Sequence, residues 1–328
     1  MRRRGLLAAI GLPIWMGAAP AFAQGAVQPR TWPTRPVTLV VPFAPGGIAD
    51  ITARTVAESM ARTLEQAFVV DNRPSAGSVV ASSLVAHAPP DGYTVLLMSN
   101  ANAVSTGLFR KLPYDVTKDF APVTTLGFFD LGLFDAAESR FRSLQDLIGH
   151  ARANPGKLTI GSIAVGSTQH LAAELFKTKA GIDAVIVPYK GTPAVLTALR
   201  AAEVDVGFEI VGPMLPQVDA KVIRALAVAS ERRQPRLSDV PTVVEAGVAG
   251  YSVASSNGLA VPRGTPPFVI EALQRAASAA VKEQAVQQRL QAQGVRLQTG
   301  TPQQLESLLV SEIKRWGEVI RMAKIVPE

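Results

Sequence analysis

Apolar positions along this chain alternate between two periods, continuous runs and every fourth residue. Val37-Thr38-Leu39-Val40-Val41 is a nearly continuous apolar run ended by Pro42, the pattern of a buried strand. Beyond a loop through Pro45, Gly46 and Gly47, small or apolar residues recur at Ile48, Thr52, Val56, Met60 and Leu64, one face of a helix. The same alternation predicts a strand at Phe68-Val69-Val70, a helix over 79–88, a turn at Pro89-Pro90-Asp91-Gly92 and a strand from Tyr93 to Met98 ending in Ser99-Asn100. An irregular connection then opens at Leu112-Pro113-Tyr114-Asp115 and leads to a long, extended apolar stretch over 121–134.

The alternation resumes with a helix over 143–153, closed by Asn154-Pro155-Gly156, and a strand over 157–160. Gly161-Ser162-Ile163-Ala164-Val165-Gly166-Ser167-Thr168 is a loop of glycines and hydroxyls before a helix over 169–179, which Ser167 or Thr168 would cap. Strands follow at 185–189, 204–210 and 222–229, with a helix over 194–201 and a short helix over 241–250. A return strand over 256–261 precedes one long helix over 266–293. Thr301 caps the last helix and Pro302 takes its first position. Leu305, Leu308, Leu309, Ile313, Trp316 and Ile320 give that helix a core-facing stripe. Strands alternating with helices predict an α/β fold on mostly parallel sheets, with ligands beyond the carboxyl ends of the strands.

Two stretches stand out against that pattern. Ala44-Pro45-Gly46-Gly47-Ile48-Ala49 and Gly161–Thr168 each join a strand end to a helix N-terminus. There the first backbone N–H groups have no internal partner and the helix dipole is positive, which suits an anion. Each also fits a plain tight turn. Neither carries G-x-G-x-x-G, and G-x-x-x-x-G-K-[ST] is absent, so phosphate fingerprints are not met. The ligand-binding candidates are Ala44, Pro45, Gly46, Gly47, Ile48 and Ala49 in the first loop and Ser162, Gly166, Ser167 and Thr168 in the second. Asn72, Ser99, Glu209 and Ser256 join them from strand ends and the return strand. Arg73 suits either a bidentate carboxylate contact or a surface ion pair. Asp50 is expected to satisfy backbone N–H groups at its own helix start.

Catalytic patterns are sparse. G-x-S-x-G is absent. Asp205 and Glu209 lie four apart on one predicted strand and so share a side, as an acid–base pair or as solvated acids. His87 and His150 sit near predicted helix ends, at the surface, and His170 with Glu174 reads as a polar helix face. No catalytic residue, metal site or cofactor is expected.

Composition narrows the setting. The chain has 328 residues, 48% hydrophobic and 18% charged, and no cysteine, so it is globular and without disulfides. Arg2, Arg3 and Arg4, an apolar run from Leu6 to Ala19, and Ala21-Phe22-Ala23 form a secretory signal over 1–23, with Gln24 opening the mature chain. Losing that leader lowers the formal charge of +7 by three, leaving a mildly basic protein with no nucleic-acid footprint. No later stretch is long and apolar enough to span a bilayer.

Several segments together resemble the Bug family, periplasmic substrate-binding receptors of tripartite tricarboxylate transporters. They are Thr38 to Gly47 with Asp50, Val70-Asp71-Asn72-Arg73-Pro74, Pro90-Asp91-Gly92-Tyr93-Thr94, Leu112-Pro113-Tyr114-Asp115 and Ala153-Asn154-Pro155-Gly156-Lys157-Leu158. Further along are Gly166-Ser167-Thr168-Gln169-His170-Leu171, Val187-Pro188-Tyr189-Lys190-Gly191, Arg224 to Val228, Val240-Pro241-Thr242 and Pro262-Arg263-Gly264-Thr265-Pro266. The resemblance covers essentially the whole mature chain. It implies a two-domain type II periplasmic-binding (Venus flytrap) fold, with domain 1 from 30–127 plus 250–328 and domain 2 from 128–249. It implies a monomeric receptor that holds a small carboxylated solute between the loops at 44–49 and 161–168 and works with integral membrane transporter subunits. The chain departs from the family pattern at Ala164, where glycine is usual, near Ser256, where an aromatic is frequent, and at Ser75 and Ser78. Phe128-Phe129-Asp130 and Phe134-Asp135 are further departures. Two other readings stay open from sequence: a sensor for a membrane signalling partner, and a secreted hydrolase using Ser167 or Ser256.

Overall fold

The computed structural model describes residues 31–327, so the predicted leader at 1–23 lies outside the described residues. Three strand–helix units open the fold. β1 (Val37–Val41) leads into α1 (Ile48–Leu64), β2 (Phe68–Asn72) into α2 (Val79–Ala86), and β3 (Thr94–Ser99) into α3 (Asn100–Leu108). β1 lies between β2 and β3 and is parallel to both. Parallel neighbours need crossover helices, so the carboxyl ends of these strands and the N-termini of their helices share one edge.

The long apolar stretch becomes β4 (Phe120–Ala136), a single 17-residue strand. A second set of units follows: α4 (Leu144–Ala153), β5 (Leu158–Ile163), α5 (Thr168–Ala180), β6 (Ala184–Tyr189), α6 (Thr192–Arg200), β7 (Val206–Ile210), α7 (Val211–Asp219) and β8 (Ile223–Val228). β5 is parallel to both β6 and β7, which gives the second half its own carboxyl edge. The return strand β9 (Ala254–Pro262) leads to α8 (Pro267–Lys282), α9 (Gln284–Ala292), β10 (Val295–Leu297) and α10 (Pro302–Met322). β9 pairs antiparallel with β3 and with the first part of β4, up to Asp130↔Ala254. From Leu131 onward β4 pairs with β7 and β8 instead. The changeover in pairing therefore falls between Asp130 and Leu131 of β4. β4 and β9 are the strands that carry the chain from one half to the other.

Each half has its own packing. In the second, Phe176, Phe208 and Tyr251 form a triangle of rings 6.1–6.3 Å apart, and Tyr251 O–H donates to Ala172 O at 2.8 Å. In the first, Trp316 is fully buried and its Nε1 donates to Glu312 Oε2 at 2.7 Å, which fastens α10 at its apolar stripe. The departures at 128–135 have structural roles. Phe129 and Phe134 are core residues, Arg296 stacks 4.8 Å over Phe128, and buried Asp135 takes a bidentate pair from Arg224 at 2.8 and 3.2 Å.

Three expectations are corrected. The helix expected over 266–293 breaks at Glu283, whose backbone is extended (φ −63°, ψ 131°). The Glu283 carboxylate accepts from Ser59 Oγ and Arg62 Nη2, each at 2.7 Å, so α1 fixes the break. The segment 241–250 forms turns, not a helix, with Gly247 and Gly250 at φ +96° and +66°. Asp205 precedes β7 and is held by Thr159 N–H, Thr159 Oγ1 and Arg140, so it does not pair with Glu209.

Candidate functional site

The loop after β1 is held from below and left open above. Gly46 takes φ +82°, which glycine adopts without strain, and its N–H donates to Asp50 Oδ2 at 2.9 Å. Asp50 is buried in the first turn of α1. Burial alone raises its carboxyl, but hydrogen bonds from Arg54, the Gly46 N–H and Asn72 outweigh burial and hold it below the usual range. Asn72 Nδ2 donates to Phe43 O and Asp50 Oδ1, both at 2.9 Å, and its Oδ1 accepts from Arg54 Nη2 at 2.8 Å. Asn72 therefore positions the loop with its whole amide. Ala44, Pro45 and Gly46 are exposed, whereas Ile48 and Ala49 are buried. Gly47 is the N-cap, with extended backbone and no side-chain cap, and a Cβ placed on Gly46 would meet nothing within 4 Å. The cap position of α1 thus has no side-chain acceptor, and the acid of its first turn, Asp50, is taken up by the Gly46 N–H, Arg54 and Asn72.

The loop after β5 is built the other way. Ser167 caps α5, its Oγ accepting from His170 N–H at 3.1 Å and donating to Ile163 O at 3.2 Å. Gly166 is buried at φ +80°, and a Cβ there would lie 2.6 Å from Leu108 Cδ2 and 3.4 Å from Gly77 N. Leu108 ends α3 and Gly77 lies in the loop after β2, so this segment of the second half rests against the first. Thr168 Oγ1 lies 3.2 Å from Ser255 Oγ on β9. Ser162 is buried, its Oγ donating to Ile163 O at 3.2 Å. The structure brings Gly166, Ser167 and Thr168 together with Gly77 and Ser255. Asn72, five residues before Gly77 in the chain, bonds to Phe43 and Asp50 at the two ends of the Ala44–Ala49 loop.

The remaining candidates divide. Ser99 caps α3 in a reciprocal box with Asn102. Ser256 Oγ donates to Asn100 Oδ1 at 2.8 Å, on the opposite face of β9 from Ser255, and belongs to a buried network with Glu312. Both Ser167 and Ser256 spend their hydroxyls on backbone or amide partners, which is the arrangement of caps and struts, not of a nucleophile beside a base. Arg73 forms an exposed ion pair with Asp71 at 3.0 Å. His170 is buried, not on a solvated face, and desolvation keeps its ring below the ordinary pKa. Glu209 is fully buried and its carboxyl is pushed up to about 7 by desolvation, against hydrogen bonds from Thr192, Gln169 and the Ile210 N–H. Among the buried polar residues with an unpartnered atom, two outside the sequence candidates lie beside groups named above: Ser78 Oγ, next to Gly77, and Asn257 Nδ2, two residues along β9 from Ser255. The signal for Asn257 was a lone amide in an apolar return strand; Ser78 gave none beyond its polar loop.

A family model described as tripartite tricarboxylate transporter family receptor matches residues 52–325. Among related sequences, a UPF0065 protein from the tcbD–tcbE intergenic region of Pseudomonas sp. is 37% identical over 319 residues, 97% of this chain and 94% of its own. Protein BugT of Bordetella pertussis is 34% identical over 323 residues, 98% of each chain. Among solved structures, an R. palustris protein with adipate superposes with a TM-score of 0.85 at 37% identity, over 90% of this chain and 100% of its own. MatC from Rhodopseudomonas palustris with bound malate gives 0.82 at 32%, over 88% and 100%.

Proposed function

The chain belongs to the tripartite tricarboxylate transporter receptor family, a family of solute-binding proteins, and we propose that it captures a small organic carboxylate between its two α/β halves for uptake. The observation that carries this reading is the start of α1, without a side-chain cap at Gly47 and preceded by the exposed loop Ala44-Pro45-Gly46, held in place by Asp50, Asn72 and Arg54. Backbone donors there need no titration to meet a carboxylate. The relatives with adipate and with malate support a dicarboxylate-sized solute. In this reading the halves correspond to 30–127 plus 250–328 and to 128–249, and closure is a hinge motion about β4 and β9. The solute favours closure only through contacts it makes to both halves. The protein acts in the periplasm as a monomer, after removal of the leader at 1–23. It delivers the solute to membrane subunits of the tripartite tricarboxylate type and catalyses no reaction.

Purified protein, unfolded and refolded to strip carried ligand, is screened by thermal shift and calorimetry against dicarboxylates, tricarboxylates, amino acids and aromatic acids. At least one carboxylate is expected to stabilise it, by about 2.7 kcal/mol at a hundred times its Kd. Silence across all four classes from folded protein overturns the reading.

A further inference from the structure

Glu209 is the second-last residue of β7, at the carboxyl edge of the second half, and its side chain is fully enclosed. Its Oε2 accepts from Thr192 Oγ1 at 3.0 Å, Ile210 N–H at 3.2 Å and Gln169 Nε2 at 3.4 Å. All three donors are neutral. Gln169 and Thr192 stand in the first turns of α5 and α6, and Gln169 directly follows Thr168, the end of the second glycine loop. Oε1 has no donor among the described residues. A buried carboxylate oxygen left without a donor is costly, and enclosed acids normally have both oxygens satisfied or a cation beside them. One oxygen of Glu209 is fastened to the helix that carries the loop, and the other is left for a group that the described residues do not supply.

We infer that Glu209 Oε1 is the acceptor for a hydrogen-bond donor on the solute, an ammonium or a hydroxyl borne by the same molecule as the captured carboxylate. This rests on the receptor reading above and narrows it to amino- or hydroxy-substituted carboxylates. An ammonium is the stronger partner, because it also brings the positive charge that the neutral neighbours of Glu209 lack. Desolvation, which pushes this carboxyl up to about 7, is offset by such a donor. Glu209→Gln makes the argument directional. Three donors already converge on the Oε2 position, so the glutamine must place its carbonyl oxygen there. Its –NH2 then takes the place of Oε1 and turns an acceptor into a donor.

The test is calorimetry on two matched sets, succinate, malate and aspartate, and adipate, 2-hydroxyadipate and 2-aminoadipate. Within a set that binds wild-type protein, the substituted acids should be roughly 10- to 100-fold tighter than the plain one, the amino acid tightest. In Glu209→Gln, checked for folding by circular dichroism, that preference should vanish or invert in favour of the plain diacid. Equal affinities across a set in wild type, or a preference unchanged in the variant, overturn this inference and leave the carboxylate receptor standing. The wild-type ratios decide alone if the variant does not fold. No binding by any member overturns the inference together with capture of aliphatic diacids.

Discussion

Of the helices that begin after a strand and a glycine loop, α1 and α5 differ in how their first turns end. At α5 the chain caps itself, Ser167 filling the place of an acceptor, and Gly166 is pressed against Leu108 and Gly77. At α1 the cap residue is Gly47, without a side chain, and the loop before it is exposed. The acid of α1, Asp50, turns back to the Gly46 N–H and to Arg54 and Asn72. The difference teaches that a glycine loop at a helix start is not by itself an anion site. What decides is whether the helix supplies its own acceptor. In the proposed reading the α1 end receives the carboxylate, while the α5 end shapes the contact between halves and carries Gln169, a donor to Glu209.

The largest effect should come from giving α1 what α5 already has. Gly47 has φ −79° and ψ 167°, open to any residue, and a Cβ there meets only Ala44 O at 3.8 Å. Gly47→Asp should therefore cap α1 without strain, hold or raise Tm, and weaken carboxylate binding by about 100-fold or more, read by calorimetry. Loss of affinity together with loss of fold would instead mean that the loop tolerates no side chain.

Next comes pH, which probes the α5 side. With Glu209 raised to about 7 from 4.5, the folded chain keeps a proton between those values that the unfolded chain has released. Its contribution to stability should be unchanged below about pH 4.5, fall as pH rises to 7, and reach a penalty of up to about 3 kcal/mol above that. Denaturant titrations of wild type and Glu209→Gln across pH 4–8 check it: the variant should lack this slope. Asn72→Ala should follow, costing about 1–3 kcal/mol of stability and loosening the first loop, so that affinity falls about tenfold. Ser167→Ala should cost about 1 kcal/mol through the lost cap, with affinity within a factor of about three of wild type.

Much of this comparison was already legible as pattern. The strand–loop–helix units, Ser167 as a cap and the Thr301-Pro302 start of α10 follow from local rules, because each depends on neighbours within four residues. What was hidden depends on distant partners. Asn72 reads from sequence as a ligand-binding candidate at a strand end; its bonds to Phe43 and Asp50 follow only from the β1–β2 register, which sets Val41 beside it. Glu283 ends α8 because Ser59 and Arg62, more than 200 residues earlier, hold its carboxylate. Ser256 and Ser255 differ only in the face of β9 they occupy, and that face is set by the sheet. Gly166 against Gly77 is a contact between halves that no local spacing encodes.

The most direct test is amide NMR of labelled, ligand-stripped protein titrated with the tightest carboxylate from the screen. The largest shifts, and new protection from exchange, are expected at the N–H groups of Gly47, Ile48 and Ala49, with smaller changes at Ser167, Thr168 and Gln169. Shifts concentrated at the α5 start, with Gly47–Ala49 unmoved at saturation, would contradict the assignment of the carboxylate to the open end of α1.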